Sequence, residues 1–189
     1  MAPKIDPFRG FVRDTLVVRH RLVGERHASQ WFDFTSLSMR RPDSFFRDIA
    51  AHIPRDWRRA ITALVVPEAA TDLGERLATM LEVEVVHLKS LEFDCDLATP
   101  IQHSFLKGRD CLIADVCVET GATLAASAAT VRLYGGNVLG ALVVVEICSR
   151  TNGRHIPHLP VGAEVVSCTE VFIDCFTPDK CPTCTRGGT

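Results

Sequence analysis

The sequence predicts an α/β fold, a central parallel sheet covered by helices on both faces, and three observations carry that expectation. Four short runs, "ITALVV", "EVEVVHL", "CLIAD" and "NVLGALVVVEI", are apolar almost throughout. A strand without polar alternation is buried on both faces, which a parallel sheet between helices provides. Segments with helical periodicity lie between the first and second runs and between the third and fourth. The chain has 189 residues, 47% of them hydrophobic, which suits one domain with a core large enough to need no covalent staples.

The elements follow in order. Residues 7–23 present Phe8, Phe11, Leu16 and Val18 as a patchy apolar face and predict a helix. "QWFDFTSL", residues 30–37, alternates apolar and polar positions as a strand does. "PDSFFRDIAAHI" opens with Pro42 and Asp43 and places Phe46, Ile49, Ala50 and Ile53 at helical spacing. The first core strand begins at Ile61, and residues 70–81 form a helix with Leu73, Leu77 and Leu81 four apart. The second strand precedes a polar, irregular stretch, and the third ends in Asp115. Residues 121–134 predict a helix with Leu124, Ala128 and Val131 on one face, closed by a left-handed turn at Gly135-Gly136 before the fourth strand. "AEVVSCTEVFIDCF" alternates like one or two further strands. The chain contains no internal repeat.

Composition excludes some partners. Net charge is -2, and the cluster Arg40, Arg41, Arg55, Arg58 and Arg59 is short and mixed with Asp, so it reads as a solvated face and not a nucleic-acid surface. "MAPKIDPFRG" lacks the apolar stretch of a signal peptide, and the longest apolar run, residues 138–147, is too short to span a bilayer. The expectation is a soluble cytoplasmic protein without nucleic-acid or membrane partners. Of the eight cysteines, Cys111, Cys117 and Cys148 lie in or beside apolar runs as small buried hydrophobes, and no disulfide framework is spaced out. Cys181-Pro-Thr-Cys184 differs: its spacing fits half of a structural zinc site, a plain turn, or a redox pair. Zinc would need further ligands, for which Cys168, Cys175, His155 and His158 are candidates, whereas His27, His52 and His87 read as surface or packing residues.

The loop "DVCVETGAT" carries the chemistry. Asp115 closes an apolar strand, and Thr120, Gly121, Ala122 and Thr123 open the next helix. Ligands of a parallel α/β sheet sit beyond the carboxyl ends of its strands. Small residues let the backbone approach a ligand, and free N–H groups at a helix start favour an anion. A carboxylate at the strand tip would accept hydrogen bonds from sugar hydroxyls, so the pair suits a sugar phosphate. The simpler alternative is that Asp115 caps a turn and Gly121 serves loop geometry.

With its following helix and strand, "CLIADVCVETGATLAASAATVRLYGGNVLGALVVVEI" resembles the 5-phosphoribosyl-1-pyrophosphate (PRPP) loop of type I phosphoribosyltransferases. "ALVVPEAATDLGERLATMLEVEVVHLK" resembles their first strand, pyrophosphate loop, helix and second strand, and "GERHASQWFDFTSL" the hood of orotate phosphoribosyltransferases. "FTPDKCPTCTRGG" resembles the tail of some prokaryotic orotate enzymes. The resemblance implies one domain of the type I phosphoribosyltransferase fold: an N-terminal hood segment over residues 1–60, an α/β core over 61–150, and C-terminal strands with the CPTC tail over 151–189, the hood being built from the N-terminal segment and C-terminal strands. It implies transfer of phosphoribose from PRPP to a nitrogenous base, orotate-like, with Mg2+ and release of pyrophosphate, in a homodimer. Thr120, Gly121, Ala122 and Thr123 would hold the 5-phosphate and Asp115 the ribose hydroxyls. Glu68, Ala69, Ala70, Thr71 and Lys89 would sit by the pyrophosphate, and Phe32 and Asp33 by the base. Glu119 matches an acidic residue that in some purine-type members acts as a base toward the ring; a solvated loop carboxylate is the equal alternative.

The chain departs from that pattern in several places. Val116 stands where a second acid is usual, "PEAATD" lacks the usual glycine pair, and the stretch after Lys89 carries Glu92, Asp94 and Asp96 against His103 and Lys107. Ala125 and Ala126 stand where some orotate enzymes place an Arg for the base carboxylate. These departures keep open a second reading, a non-catalytic PRPP or nucleotide sensor. A zinc-dependent interaction module, resting on Cys181 and Cys184 alone, is a third.

Overall fold

The computed structural model describes residues 8, 10–12, 16–17, 21–23, 26–28, 31–32, 41–88, 104–149 and 163–185. Lys89, Asp33, His103, His155, His158 and the acidic stretch after Lys89 lie outside them.

Five strands form the central sheet: β5 (Ala63–Pro67), β6 (Glu84–Leu88), β7 (Asp110–Val118), β8 (Asn137–Ser149) and β9 (Glu164–Ile173). Their order is β6-β5-β7-β8-β9, and every neighbouring pair is parallel. Side chains alternate between the two faces as the pleat requires. Leu64, Val66, Leu112, Ala114, Leu142 and Val144 meet one cluster, which includes Phe46, Ile49, Leu73 and Leu77. Ala63, Val65, Cys111, Ile113, Ala141 and Val143 meet the other, with Leu124, Ala128 and Val131. The first cluster is supplied by α1 (Asp43–Ala51) and α3 (Thr71–Leu81), the second by α4 (Ala122–Leu133). Burial on both faces is why these strands read as unbroken apolar runs.

Pro42 sits at the N-cap of α1, where a residue without an N–H is tolerated, and α2 (Arg55–Ala60) follows. The Trp57 ring on α2 packs against β8 at Gly140: a Cβ there would run into the ring, so only glycine admits that approach. The end of α4 matches the expectation at Gly135-Gly136. Gly135 has φ 77, its N–H donates to the Arg132 carbonyl at 3.0 Å, and the Gly136 N–H donates to the Val131 carbonyl at 2.9 Å. That paired arrangement satisfies the last carbonyls of the helix.

The N-terminal segment departs from the single helix expected over residues 7–23. Among the described residues Phe8 and 10–12 are helical, while β1 (Leu16–Val17) and β2 (Arg21–Val23) occupy the second half of the expected helix. Leu16, Val17, Leu22 and Val23 are residues that strands accept readily, and strand pairing outcompetes a patchy helical face. β3 (Arg26–Ala28) pairs with β2 and with β10 (Cys175–Phe176), while β4 (Trp31–Phe32) pairs with β1. A small three-stranded sheet therefore joins the two ends of the chain, and β9, the longer C-terminal strand, extends the central sheet instead. Among the described residues, no helix is long and apolar enough to cross a membrane.

Candidate functional site

The site begins where the sheet loses a neighbour. β5 pairs with β7 only as far as Val65 and Ile113, whereas β8 accompanies β7 to Val118. Asp115 lies in this one-sided part of β7. The strand continues three residues beyond it, so Asp115 is not the terminal residue that the sequence suggests. Its backbone partner on the covered side is Val143.

Asp115 is 7% exposed, and its Oδ1 accepts the Val116 N–H at 2.7 Å. Burial pushes its carboxyl up to about 6 from the ordinary 3.8, opposed by backbone hydrogen bonds from Val116 and Cys117. Among the described residues, few groups besides this one are both ionisable and buried. Glu146 on β8 is another; it is 1% exposed, its Oε2 accepts the Ser167 hydroxyl at 3.0 Å, and the Cys148 thiol lies 3.8 Å from Oε1. A lone acid inside an apolar run gave no sequence signal for that cluster.

Beyond β7, Glu119 is half-buried and Thr120 exposed, and Gly121 forms the N-cap of α4 in the left-handed region, φ 74 and ψ 7. Only glycine takes that conformation without strain, so its presence is dictated by the turn. Gly121 has no side chain with which to cap α4. The Ala122 N–H approaches the Thr120 hydroxyl oxygen at 3.4 Å, and Ala122 and Thr123 are exposed. The first-turn N–H groups of a helix have no partner within it, so α4 presents donors and the positive end of its dipole beside Thr120 and Thr123.

The tip of β5 supplies the opposite wall. Pro67 leads into a 3-10 turn, Glu68–Ala70, whose last residue passes into α3, and the Thr71 hydroxyl donates to the Glu68 carbonyl at 2.8 Å. This turn and the one-sided part of β7 border a pocket of about 220 Å³. Glu68, Ala69, Ala70, Thr71 and Asp72 line it on one side, Val116 on another, and Phe11, Phe45 and Phe46 close it with aromatic rings. Phe11 and Phe45 stack at 5.0 Å, with the Arg41 guanidinium 5.5 Å from the Phe11 ring.

The structure thus brings Glu68, Ala69, Ala70 and Thr71 together with Val116, the residue after Asp115, around one pocket. Thr120 to Thr123 open the helix that follows the same strand. Lys89 and Asp33 lie outside the described residues, and Phe32 is placed only by its backbone pairing with Leu16. Sequence reasoning missed Phe11, Phe45 and Asp72 as pocket walls; the adjacent Phe45-Phe46 on one helix was the available signal. It also read His27 as a surface or packing residue and not as a companion of the cysteine pair; of the companions it named, His155 and His158 lie outside the described residues. His27 gathers with Cys181 and Cys184, while Cys168 is absent from that group and its thiol is pushed up to about 12 by burial in the sheet.

No family sequence model matches the chain, and no curated protein sequence matches it. Solved structures do. The orotate phosphoribosyltransferase of Aeropyrum pernix superposes with a TM-score of 0.65 at 17% identity, over 87% of this chain and 93% of that one. The orotate phosphoribosyltransferase of Mycobacterium tuberculosis, solved with inorganic phosphate, gives 0.62 at 14% identity, over 88% and 96%. The adenine phosphoribosyltransferase of Rhodothermus marinus gives 0.60 at 19% identity, over 86% and 97%. The chain has the type I phosphoribosyltransferase fold.

Proposed function

We propose that the protein binds PRPP at the junction of β7 and α4 and transfers its phosphoribosyl group to a nitrogenous base, releasing pyrophosphate. One observation carries this: a buried carboxylate, Asp115, in the part of β7 beyond its pairing with β5, is followed within eight residues by a helix start at a left-handed glycine. The first element suits ribose hydroxyls and the second suits a phosphate. The likeness to phosphoribosyltransferase structures supports the same reading, and one of those neighbours holds inorganic phosphate.

In this reading Thr120, Gly121, Ala122 and Thr123 cradle the 5-phosphate, and Asp115 accepts the ribose hydroxyls and fixes the ring. The base nitrogen attacks C1 of the ribose as the bond to pyrophosphate breaks, and Glu119 accepts a hydrogen bond or proton from the incoming ring. Pyrophosphate leaves beside Ala69, Ala70 and Thr71, and Lys89 is the basic residue assigned to it by resemblance. Glu68 and Asp72 both line this pocket, and two carboxylates facing a polyanion require a cation between them. Their oxygen donors fit Mg2+, which Glu68 and Asp72 would hold and which would supply charge neutralisation for the leaving group. The aromatic wall of Phe11, Phe45 and Phe46 suits a planar ring better than a phosphate. The active unit in this reading is a homodimer.

Incubation with PRPP, Mg2+ and a panel of purine and pyrimidine bases, following pyrophosphate release, tests the reaction. Turnover with at least one base is expected, falling roughly 100-fold or more in Asp115→Asn and in Thr123→Val. A second reading, a PRPP or nucleotide sensor, is favoured by Val116, an apolar pocket residue where a further acid is usual. Tight PRPP binding without turnover on any base would select it.

A further inference from the structure

We propose that His27, Cys181 and Cys184 form a binding site for a thiophilic divalent cation, zinc above all, that pins the C-terminal tail to the N-terminal sheet. One donor atom from each residue lies within 4.8 Å of the other two. His27 Nδ1 stands 3.1 Å from Cys184 Sγ, although the residues are 157 positions apart. A tetrahedral zinc with Zn–S of about 2.3 Å and Zn–N of about 2.0 Å spaces its ligand atoms about 3.5–3.8 Å apart, so small side-chain shifts complete the coordination.

The backbone explains why the three meet. β3 carries His27 and pairs with β10, His27 facing Phe176 in the register. The chain then turns through Pro178–Lys180 directly into Cys181, and the short helix α5 (Pro182–Thr185) returns Cys184 toward β3. Cys181 is fully buried and Cys184 exposed. The cluster therefore has an inner thiolate ligand and a solvent-facing side, where a water would complete a four-coordinate ion. Two thiolates and an imidazole select zinc over magnesium or calcium, which prefer oxygen. The site is remote in character from the phosphate cradle, which offers only oxygen and backbone N–H groups, and it stands or falls independently of the proposed transferase reaction.

The test uses the full chain purified under reducing conditions and loaded with zinc alone. Zinc is measured after exchange against a weak competing chelator, and thiols are titrated with and without the metal. The expected result is about one zinc per chain, with two thiols protected by it and Tm lowered by roughly 5 °C or more on stripping. Cobalt loading should give thiolate-to-metal charge-transfer absorption. His27→Ala, Cys181→Ser and Cys184→Ser should each lose zinc, and His27→Cys, which supplies a third thiolate, should retain it. Stoichiometric zinc that survives His27→Ala, no zinc in a folded wild-type chain, or a stable Cys181–Cys184 disulfide under those reducing conditions would overturn the proposal.

Discussion

Asp115 sits in surroundings poor for a charge, and that has a measurable consequence. Its carboxyl is raised by burial from 3.8 to about 6. The folded chain therefore holds this proton to higher pH than the unfolded chain does. Below pH 3.8 both forms are protonated and no penalty exists; as pH rises through 6 the folded state loses stability, reaching about 3 kcal/mol above that range. Asn at this position keeps an oxygen for the Val116 N–H without the charge. Asp115→Asn should raise stability by about 1–3 kcal/mol at pH 7.5 and by little at pH 4, read from denaturant midpoints at the two pH values. A variant more stable yet less active is what a residue kept for binding produces, whereas equal or lower stability at pH 7.5 would mean the carboxylate is better solvated than its burial implies.

The elements were legible to different degrees, for physical reasons. β5, β7 and β8 are buried on both faces, so their sequences are unbroken apolar runs. α3 and α4 announce themselves by leucine or small-residue spacing, and α4 by the glycines at both ends. β1, β2 and β3 have two or three residues each, too few for a period-two pattern, so the sequence reads as helix over the first two and offers no element at the third, whereas β4 and β10 fall within stretches whose alternation predicts strands. Packing between elements was also invisible in one dimension: nothing near Gly140 in sequence points to Trp57. That contact yields a prediction. Gly140→Ala drives a methyl into the Trp57 ring, and overpacking of this kind costs about 1–3 kcal/mol. Thermal unfolding should show a Tm several degrees lower, with a shift in tryptophan emission as Trp57 moves off β8. An unchanged Tm and emission would show that α2 yields freely.

At the scale of the whole molecule, the parallel sheet and its connectivity generate the crevice without any special loop. β7 outruns β5, so among the described strands its tip has a neighbour on one side only, the side of β8. The acid, the glycine and the small residues of "DVCVETGAT" were legible because all lie within nine consecutive positions. The aromatic wall was not, because Phe11 and Phe45 reach the pocket from segments more than sixty residues from Val116 in the chain. His27 is separated from Cys184 by still more. The fold is shared with enzymes and is no proof of chemistry; the phosphate cradle is the part on which the functional account turns. Ribose 5-phosphate titrated into the 15N-labelled chain, with the Gly121 and Thr123 amide resonances followed, tests it most directly. The account predicts saturable downfield shifts of both amides, abolished by inorganic phosphate in excess. Saturating ligand that leaves Gly121 and Thr123 unmoved would contradict it.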